Sequence, residues 1–234
     1  MSCLTFLFSG LLMLENLIVP VLNRYDLLQR MLDSIDYPIE HLLILDNGSS
    51  DVEHSFELDV PDCVNHTTYL PLPANLGVAA SWNLGIKLFP YAERWFFASN
   101  DMQFGPHALE RLCEARRDEI TLCGHFPFWQ TFALGYEAVR RLGLFDERFF
   151  PAYFEDTDYL RRAEHAGVNV RKIDIDVSHD NSSTLHSDEH FKERNAQTFI
   201  ENQIRYHEKV SAGNFSAGSW SVEIRRRNGW ERDR

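Results

Sequence analysis

The stretch Leu42-Leu43-Ile44-Leu45-Asp46-Asn47-Gly48-Ser49-Ser50-Asp51 runs four apolar residues straight into a polar turn. A short apolar run without alternation suits a strand buried on both faces, and Asp-Asn-Gly suits the turn that ends it. Two other stretches repeat the pattern. Leu17-Ile18-Val19-Pro20-Val21 is closed by Asn23, and Trp95-Phe96-Phe97-Ala98 by Ser99-Asn100-Asp101. Val64 to Leu70 is a further strand candidate. Between these strands the spacing turns helical. Leu27, Leu28, Met31, Leu32 and Ile35 follow a capping Asn23, and Ala79, Trp82, Asn83 and Ile86 share one side of a helix opened by Asn75-Leu76-Gly77. Pro106 opens another helix, expected to reach about Asp118. Strands alternating with helices predict an α/β fold with a Rossmann-like, mostly parallel central sheet flanked by helices.

The second half reads differently. Thr121 to Leu134 is strand-like and aromatic, with Phe126, Phe128, Trp129 and Phe132, and a short helix follows from Tyr136. Glu155 to about Ala166 reads as a helix with Gly167 at its C-terminal cap. Val168 to Val177 is strand-like and leads to His179, and a long, mostly polar helix runs from about Ser187 to Val210. The implied organisation is an apolar N-terminal extension over 1–14, one domain over 15–185 divided near 118, and a C-terminal helical extension with a basic tail over 186–234.

The 234 residues are 44% hydrophobic and 13% aromatic, enough for a packed core rather than disorder. Lys and Arg number 23 against 35 Asp and Glu, a net charge of −12 that disfavours nucleic-acid binding through a basic face. The run Arg225 to Arg234 has the opposite sign and reads as a solvated tail. Cys3, Cys63, Cys113 and Cys123 lack zinc-ligand spacing. They read as reduced thiols of an intracellular, cytoplasmic protein, with peripheral membrane association left open. Cys3 to Leu14 is apolar, with no basic residue ahead of it. It is too short for a membrane span, which needs about 20 apolar residues, and it lacks the marks of a signal peptide. Two readings remain: a segment packed on the domain, or an upstream start with Met13 the natural one. We favour the second.

In open α/β sheets ligands bind outside the carboxyl ends of strands. Asp46 stands at such an end, suited to accept hydrogen bonds from a nucleobase or ribose, and equally suited to form a turn. Asn75 and Asn83 flank a helix start, where unpaired amides attract anions; as caps or solvated residues they need no ligand. Glu155, Asp156 and Asp158 fill the first turn of their helix, where the macrodipole favours carboxylates. Asp158 can pair with Arg161 or Arg162. Asp156 shares a face with Leu160 and Ala163, which predicts that it points inward. An inward carboxylate without a cation on its own helix is a candidate general base.

Taken in order, the motifs are Val19-Pro20-Val21-Leu22-Asn23-Arg24, Leu45-Asp46-Asn47-Gly48-Ser49-Ser50-Asp51, Asn75-Leu76-Gly77-Val78-Ala79 and Asn83-Leu84-Gly85. Ser99-Asn100-Asp101, Gly143-Leu144-Phe145-Asp146-Glu147, Tyr153-Phe154-Glu155-Asp156-Thr157-Asp158 and His179 follow. The set resembles the inverting nucleotide-sugar glycosyltransferases of GT-A fold, of the rhamnosyltransferase-like, family 2 type, over roughly residues 16 to 185. The resemblance implies a nucleoside diphosphate sugar as donor and a hydroxyl of a glycan, lipid, protein or modified base as acceptor. It implies nucleotide-sugar contacts from Pro20, Asn23, Asp46, Asn47, Asn75, Asn83, Asn100 and Asp101. It also implies catalysis by Asp156 with Glu155 beside it, and a divalent cation, Mn²⁺ or Mg²⁺, held by Asp101 and His179. Such a cation neutralises charge on a diphosphate leaving group, and a carboxylate with an imidazole suits Mn²⁺ better than Mg²⁺. Ser99 departs from the family pattern, standing where its metal motif begins with Asp. Trp129 and Asp146 are expected on the acceptor side. Two rivals are a nucleotidyltransferase, whose Gly-rich, Arg/Lys-containing first loop is missing from Pro20 to Asp26, and a sugar-nucleotide-binding module without catalysis.

Overall fold

A computed structural model of the chain describes residues 13–49, 58–123, 128–179 and 189–217. The first half holds β1 (Leu17–Val21), α1 (Tyr25–Leu32), β2 (Ile39–Asp46), β3 (Val64–Pro71), α2 (Val78–Leu88) and β4 (Arg94–Ala98). Then come β5 (Met102–Phe104), α3 (Ala108–Leu112), β6 (Glu119–Cys123), β7 (Thr131–Gly135) and α4 (Tyr136–Leu142). The chain continues with α5 (Glu155–Ala166), β8 (Asn169–Ile173), β9 (Val177–His179) and α6 (Glu189–Ser211). Seven strands form one sheet in the order β3-β2-β1-β4-β7-β6-β8, and β5 pairs with β9 beside it. In the large sheet β7 alone runs against its neighbours. The expected GT-A-like, mostly parallel α/β architecture is present.

The unbroken apolar runs follow from burial on both faces. From β1, Leu17, Val19 and Val21 pack with Leu28 and Met31 of α1 and Leu109 of α3, while Ile18 joins Ala79, Trp82 and Ile86 of α2. Each such side chain contributes roughly 1.5–3 kcal/mol when fully buried, so a polar residue on either face would be costly.

Several boundaries differ from the sequence reading. Asn23 adopts a left-handed backbone (φ 65) ahead of α1 and its amide donates to Ser49 Oγ at 2.9 Å, while the N-cap position of α1 falls on Arg24. The helix expected to reach Asp118 ends at Leu112, where Arg94 Nη1 takes the carbonyls of Cys113 (2.6 Å) and Ala115 (3.2 Å). Thr121 to Leu134 is divided between β6 and β7, with a 3-10 turn at Phe128–Gln130; Phe126 lies outside the described residues. The last strand breaks after Ile173, which lets Val177–His179 pair with Met102–Phe104. Leu14 is fully buried and pairs with Ile39, while 1–12, including Cys3, lie outside the described residues. Cys63, Cys113 and Cys123 are free thiols. No helix among the described residues is long and apolar enough to cross a membrane.

Candidate active site

A cleft of about 270 Å³ opens at the carboxyl ends of β1 and β4. Pro20–Leu22 and Ala98–Asn100 line one side, Trp82, Trp129 and Phe132 line an aromatic wall, and Asn47, Asn75, Val78 and Pro151–Tyr153 complete it. Trp82 and Trp129 stack with ring centroids 6.1 Å apart. Two glycines let its loops close up. Gly48 and Gly77 have φ of +80 and +84, and a Cβ there would lie 2.3 Å from the Ala74 carbonyl carbon and 2.9 Å from the Pro151 oxygen.

Polar side chains knit these loops together. Asn47 donates to Asn75 Oδ1 (3.0 Å) and accepts from the Leu76 amide (2.9 Å); Asn75 Oδ1 also takes the Gly77 amide (2.8 Å). The Val78 amide donates to the Pro151 carbonyl at 2.7 Å. The amides of 76–78, expected to be open to an anion, are therefore satisfied within the protein. Asn100 lines the cleft and donates to the Arg24 carbonyl at 3.1 Å.

Asp46, at the end of β2, has all four acceptor positions engaged. Oδ1 takes the Ser49 amide (2.9 Å) and hydroxyl (2.5 Å), and Oδ2 takes Tyr25 (2.6 Å) and Tyr69 (2.7 Å). Burial pushes its carboxyl up, but these hydrogen bonds outweigh burial and hold it below its ordinary value. A nucleoside would reach Asp46 only by displacing a tyrosine hydroxyl.

Two expected site residues belong elsewhere. Asn83 is 1% exposed and outside the cleft lining; it donates to the Phe145 carbonyl (3.0 Å) and Glu147 Oε1 (2.9 Å) and accepts from the Phe145 amide (2.9 Å). Its polar atoms fix a loop rather than a donor. Asp146, expected on the acceptor side, is fully buried in an ion cluster with Arg148 (2.6 Å) and Lys209 (2.8 Å). Lys209 also reaches Asp158 at 2.7 Å, and Asp158 pairs with Arg162 at 2.9 Å, one of its two expected partners.

Asp101 and His179 meet. The turn Ser99–Asp101 follows β4, β5 pairs Met102 with His179 of β9, and His179 Nε2 lies 3.1 Å from Asp101 Oδ2. Both side chains are mostly shielded, 18% and 14% exposed.

Helix α5 is rotated from the sequence reading. Its buried residues are Glu155, Asp158, Tyr159, Arg162 and Ala163, so Glu155 faces inward and Asp156 is half-buried at the flank. The expected stripe failed because Arg162 becomes an interior residue once Asp158 neutralises it. Burial pushes the Glu155 carboxyl well above its ordinary value, helped by the neighbouring Asp156 charge, and Oε2 has no hydrogen-bond partner among the described residues. Burial also raises Asp156, against hydrogen bonds from the Thr157 amide and hydroxyl.

Sequence reasoning passed over Tyr25, Tyr69 and the Pro151–Tyr153 wall. Tyr25 and Tyr69 stand 21 and 23 residues from Asp46, so no local pattern in the sequence marks them as its partners. Trp129 does line the cleft.

Residues 16–172 match the Glycosyl transferase family 2 domain. No curated protein matches the chain. Among solved structures, residues 1–349 of S. aureus TarS in complex with UDP match with a TM-score of 0.52 and 16% identity, over 69% of this chain and 58% of that one. A longer S. aureus TarS structure matches with a TM-score of 0.51 and 16% identity, over 69% of this chain and 35% of that one. The chain thus covers less than two thirds of either TarS chain, and the likeness is one of fold. The family match takes in the cleft, Asp101 and the start of α5, and by it the chain belongs to glycosyltransferase family 2.

Proposed function

We propose that the protein moves a sugar from a nucleoside diphosphate donor to an acceptor hydroxyl, with inversion, in the cleft beyond β1 and β4. The observation that carries this reading is the meeting of Asp101 and His179 beside Ser99 and Asn100 of the cleft. The similar fold solved with UDP supports a nucleoside diphosphate as the donor's carrier.

The residues fit a divalent cation. An oxygen and a nitrogen 3.1 Å apart match neighbouring ligands of one ion at bond lengths of roughly 2.0–2.2 Å. No third His, Cys, Asp or Glu joins them among the described residues, which leaves diphosphate oxygens and water to complete the shell. Mn²⁺ suits the mixed pair better than Mg²⁺. Bound there, the cation would neutralise charge developing on the diphosphate.

The chain's own residues supply the rest. Trp82, Trp129 and Phe132, packed on one another, form an apolar wall that excludes water from one side of the cleft. Asp156 takes the acceptor proton as the acceptor oxygen bonds the anomeric carbon, and the bond to the diphosphate breaks on the opposite face. A raised pKa makes this carboxylate a stronger base than an exposed one. Glu155, whose carboxyl burial and the Asp156 charge push well above its ordinary value, contributes position.

A thermal-shift series of nucleoside diphosphates with and without Mn²⁺ tests the binding, since ligand at a hundred times its Kd adds about 2.7 kcal/mol of stability. Release of nucleotide from nucleotide sugars tests the chemistry. Pyrophosphate release from a triphosphate would indicate nucleotidyl transfer instead, and neither stabilisation nor release across the panel would overturn the reading.

A further inference from the structure

We infer that Asn202, on α6, is a positioning residue for the cleft wall from which α5 and its carboxylates emerge; the catalytic part of this inference rests on the function proposed above. Asn202 is 1% exposed. Its Nδ2 donates to the carbonyls of Phe150 (3.2 Å) and Ala152 (2.7 Å), the residues on either side of Pro151. An amide nitrogen carries two hydrogens, and both go to this one loop.

Other α6 residues hold the same segment. The Phe199 ring packs 5.4 Å from Tyr153 and 5.1 Å from Phe154, and Tyr206 packs 5.6 Å from Phe154. Arg205 donates to the Arg148 carbonyl, and Lys209 ties Asp146 to Asp158 on α5 itself. The segment needs such support. Tyr153 and Phe154 carry φ of 77 and 71, values that residues with a Cβ keep only where their surroundings compel them. Glu155 and Asp156 come next. On the far side, the Pro151 carbonyl accepts the Val78 amide, so α2 and α6 pin the loop between them. Because α6 lies beyond the family-matched residues 16–172, this contact comes from outside that region.

The test is Asn202→Ala in the full chain, read three ways. Hydrogen exchange at amides 149–155 should speed up about tenfold while β1–β4 keep their protection. UDP binding should stay within twofold. Hydrolysis of whichever UDP-, GDP- or dTDP-sugar the wild type turns over fastest should lose about tenfold in kcat. Its acid limb should move toward the pH of an ordinary carboxylate as water reaches Asp156. Asn202→Ser, which keeps one donor, should fall between, and it decides by the same readings if the Ala variant does not fold. Unchanged exchange at 149–155 overturns the strut. Faster exchange with wild-type kcat and acid limb overturns the positioning role. A wild type that neither binds UDP nor hydrolyses a nucleotide sugar defeats the proposed function instead, and the exchange measurement still decides whether Asn202 holds the loop.

Discussion

His179 Nε2 stands 3.1 Å from Asp101 Oδ2 because β9 pairs with β5 directly beyond the cleft. Two side chains from distant parts of the chain share one point in space, which is what a shared ligand requires. Asp101→Ala and His179→Ala should each weaken Mn²⁺-dependent UDP binding about tenfold or more, roughly 1.4 kcal/mol. Metal-free UDP binding should hold within twofold. The double variant should be little worse than the worse single one, because both residues act through the same ion. Calorimetric titration of UDP with and without Mn²⁺ checks this, and an undiminished Mn²⁺ response in both single variants would remove the metal role.

Asn83 should behave as a structural residue. Asn83→Ala leaves the buried amide and carbonyl of Phe145 without partners. Each stranded group costs about 1–3 kcal/mol, so the variant should lose roughly 2–6 kcal/mol of folding stability. UDP affinity should stay within twofold, since the side chain lies outside the cleft lining. Urea unfolding and UDP titration together decide it; a stable variant with lost nucleotide binding would return Asn83 to the donor site.

Burial on both faces left an unbroken apolar signature in β1, β2 and β4, so the sheet was legible from sequence. The neighbouring polar residues were legible only in part. Asn83 and Asp146 stand in motif positions, but Asn83 bonds Phe145 and Asp146, besides its neighbour Arg148, bonds Lys209, 62 and 63 residues away, and no local pattern encodes such distant pairs. Apolar spacing likewise misjudged α5, because an ion-paired Arg162 packs inside where an unpaired one could not. Lys209 and Asn202, the buried residues of α6 among those whose side chains are described, are both polar and held by hydrogen bonds. Asp101 and His179 could be paired in advance only through motif order.

The Asp146–Lys209 pair sets an acid limit on stability. Burial alone would raise the Asp146 carboxyl, but hydrogen bonds from Arg148 and Lys209 outweigh it and lower the pKa to about 2. A carboxyl depressed on folding stabilises fully above its unfolded pKa, near 3.9, and the contribution is lost as pH falls through the folded value. The carboxylate with its two cationic partners should therefore contribute about 2–3 kcal/mol above pH ~4 that disappears toward pH ~2. Asp146→Asn should flatten this part of the stability profile. It should also destabilise at neutral pH by leaving Lys209 less compensated. Denaturant unfolding between acid and neutral pH measures both, and an acid slope equal in wild type and variant would contradict the assignment.

The last expectation divides two adjacent carboxylates. Glu155 is buried on the inner face of α5, where burial and the Asp156 charge push its carboxyl well above its ordinary value, whereas Asp156 is half-buried at the flank, three residues beyond Tyr153 of the cleft wall. A base must reach its substrate, and Asp156 is the more accessible of the two. Asp156→Asn should lower transfer by about 10² to 10⁴, the usual effect of losing a general base, with UDP binding unchanged. Glu155→Gln keeps nearly the same shape at a buried position where the charged form is disfavoured, so it should cost much less. Because burial raises the Asp156 carboxyl, wild-type activity should fall as pH drops through a value above that of an exposed Asp. Rate against pH for both variants is the deciding measurement. If Glu155→Gln is inactive and Asp156→Asn keeps its turnover and its acid limb, then α5 turns its inner face to the acceptor during reaction and Glu155 is the base.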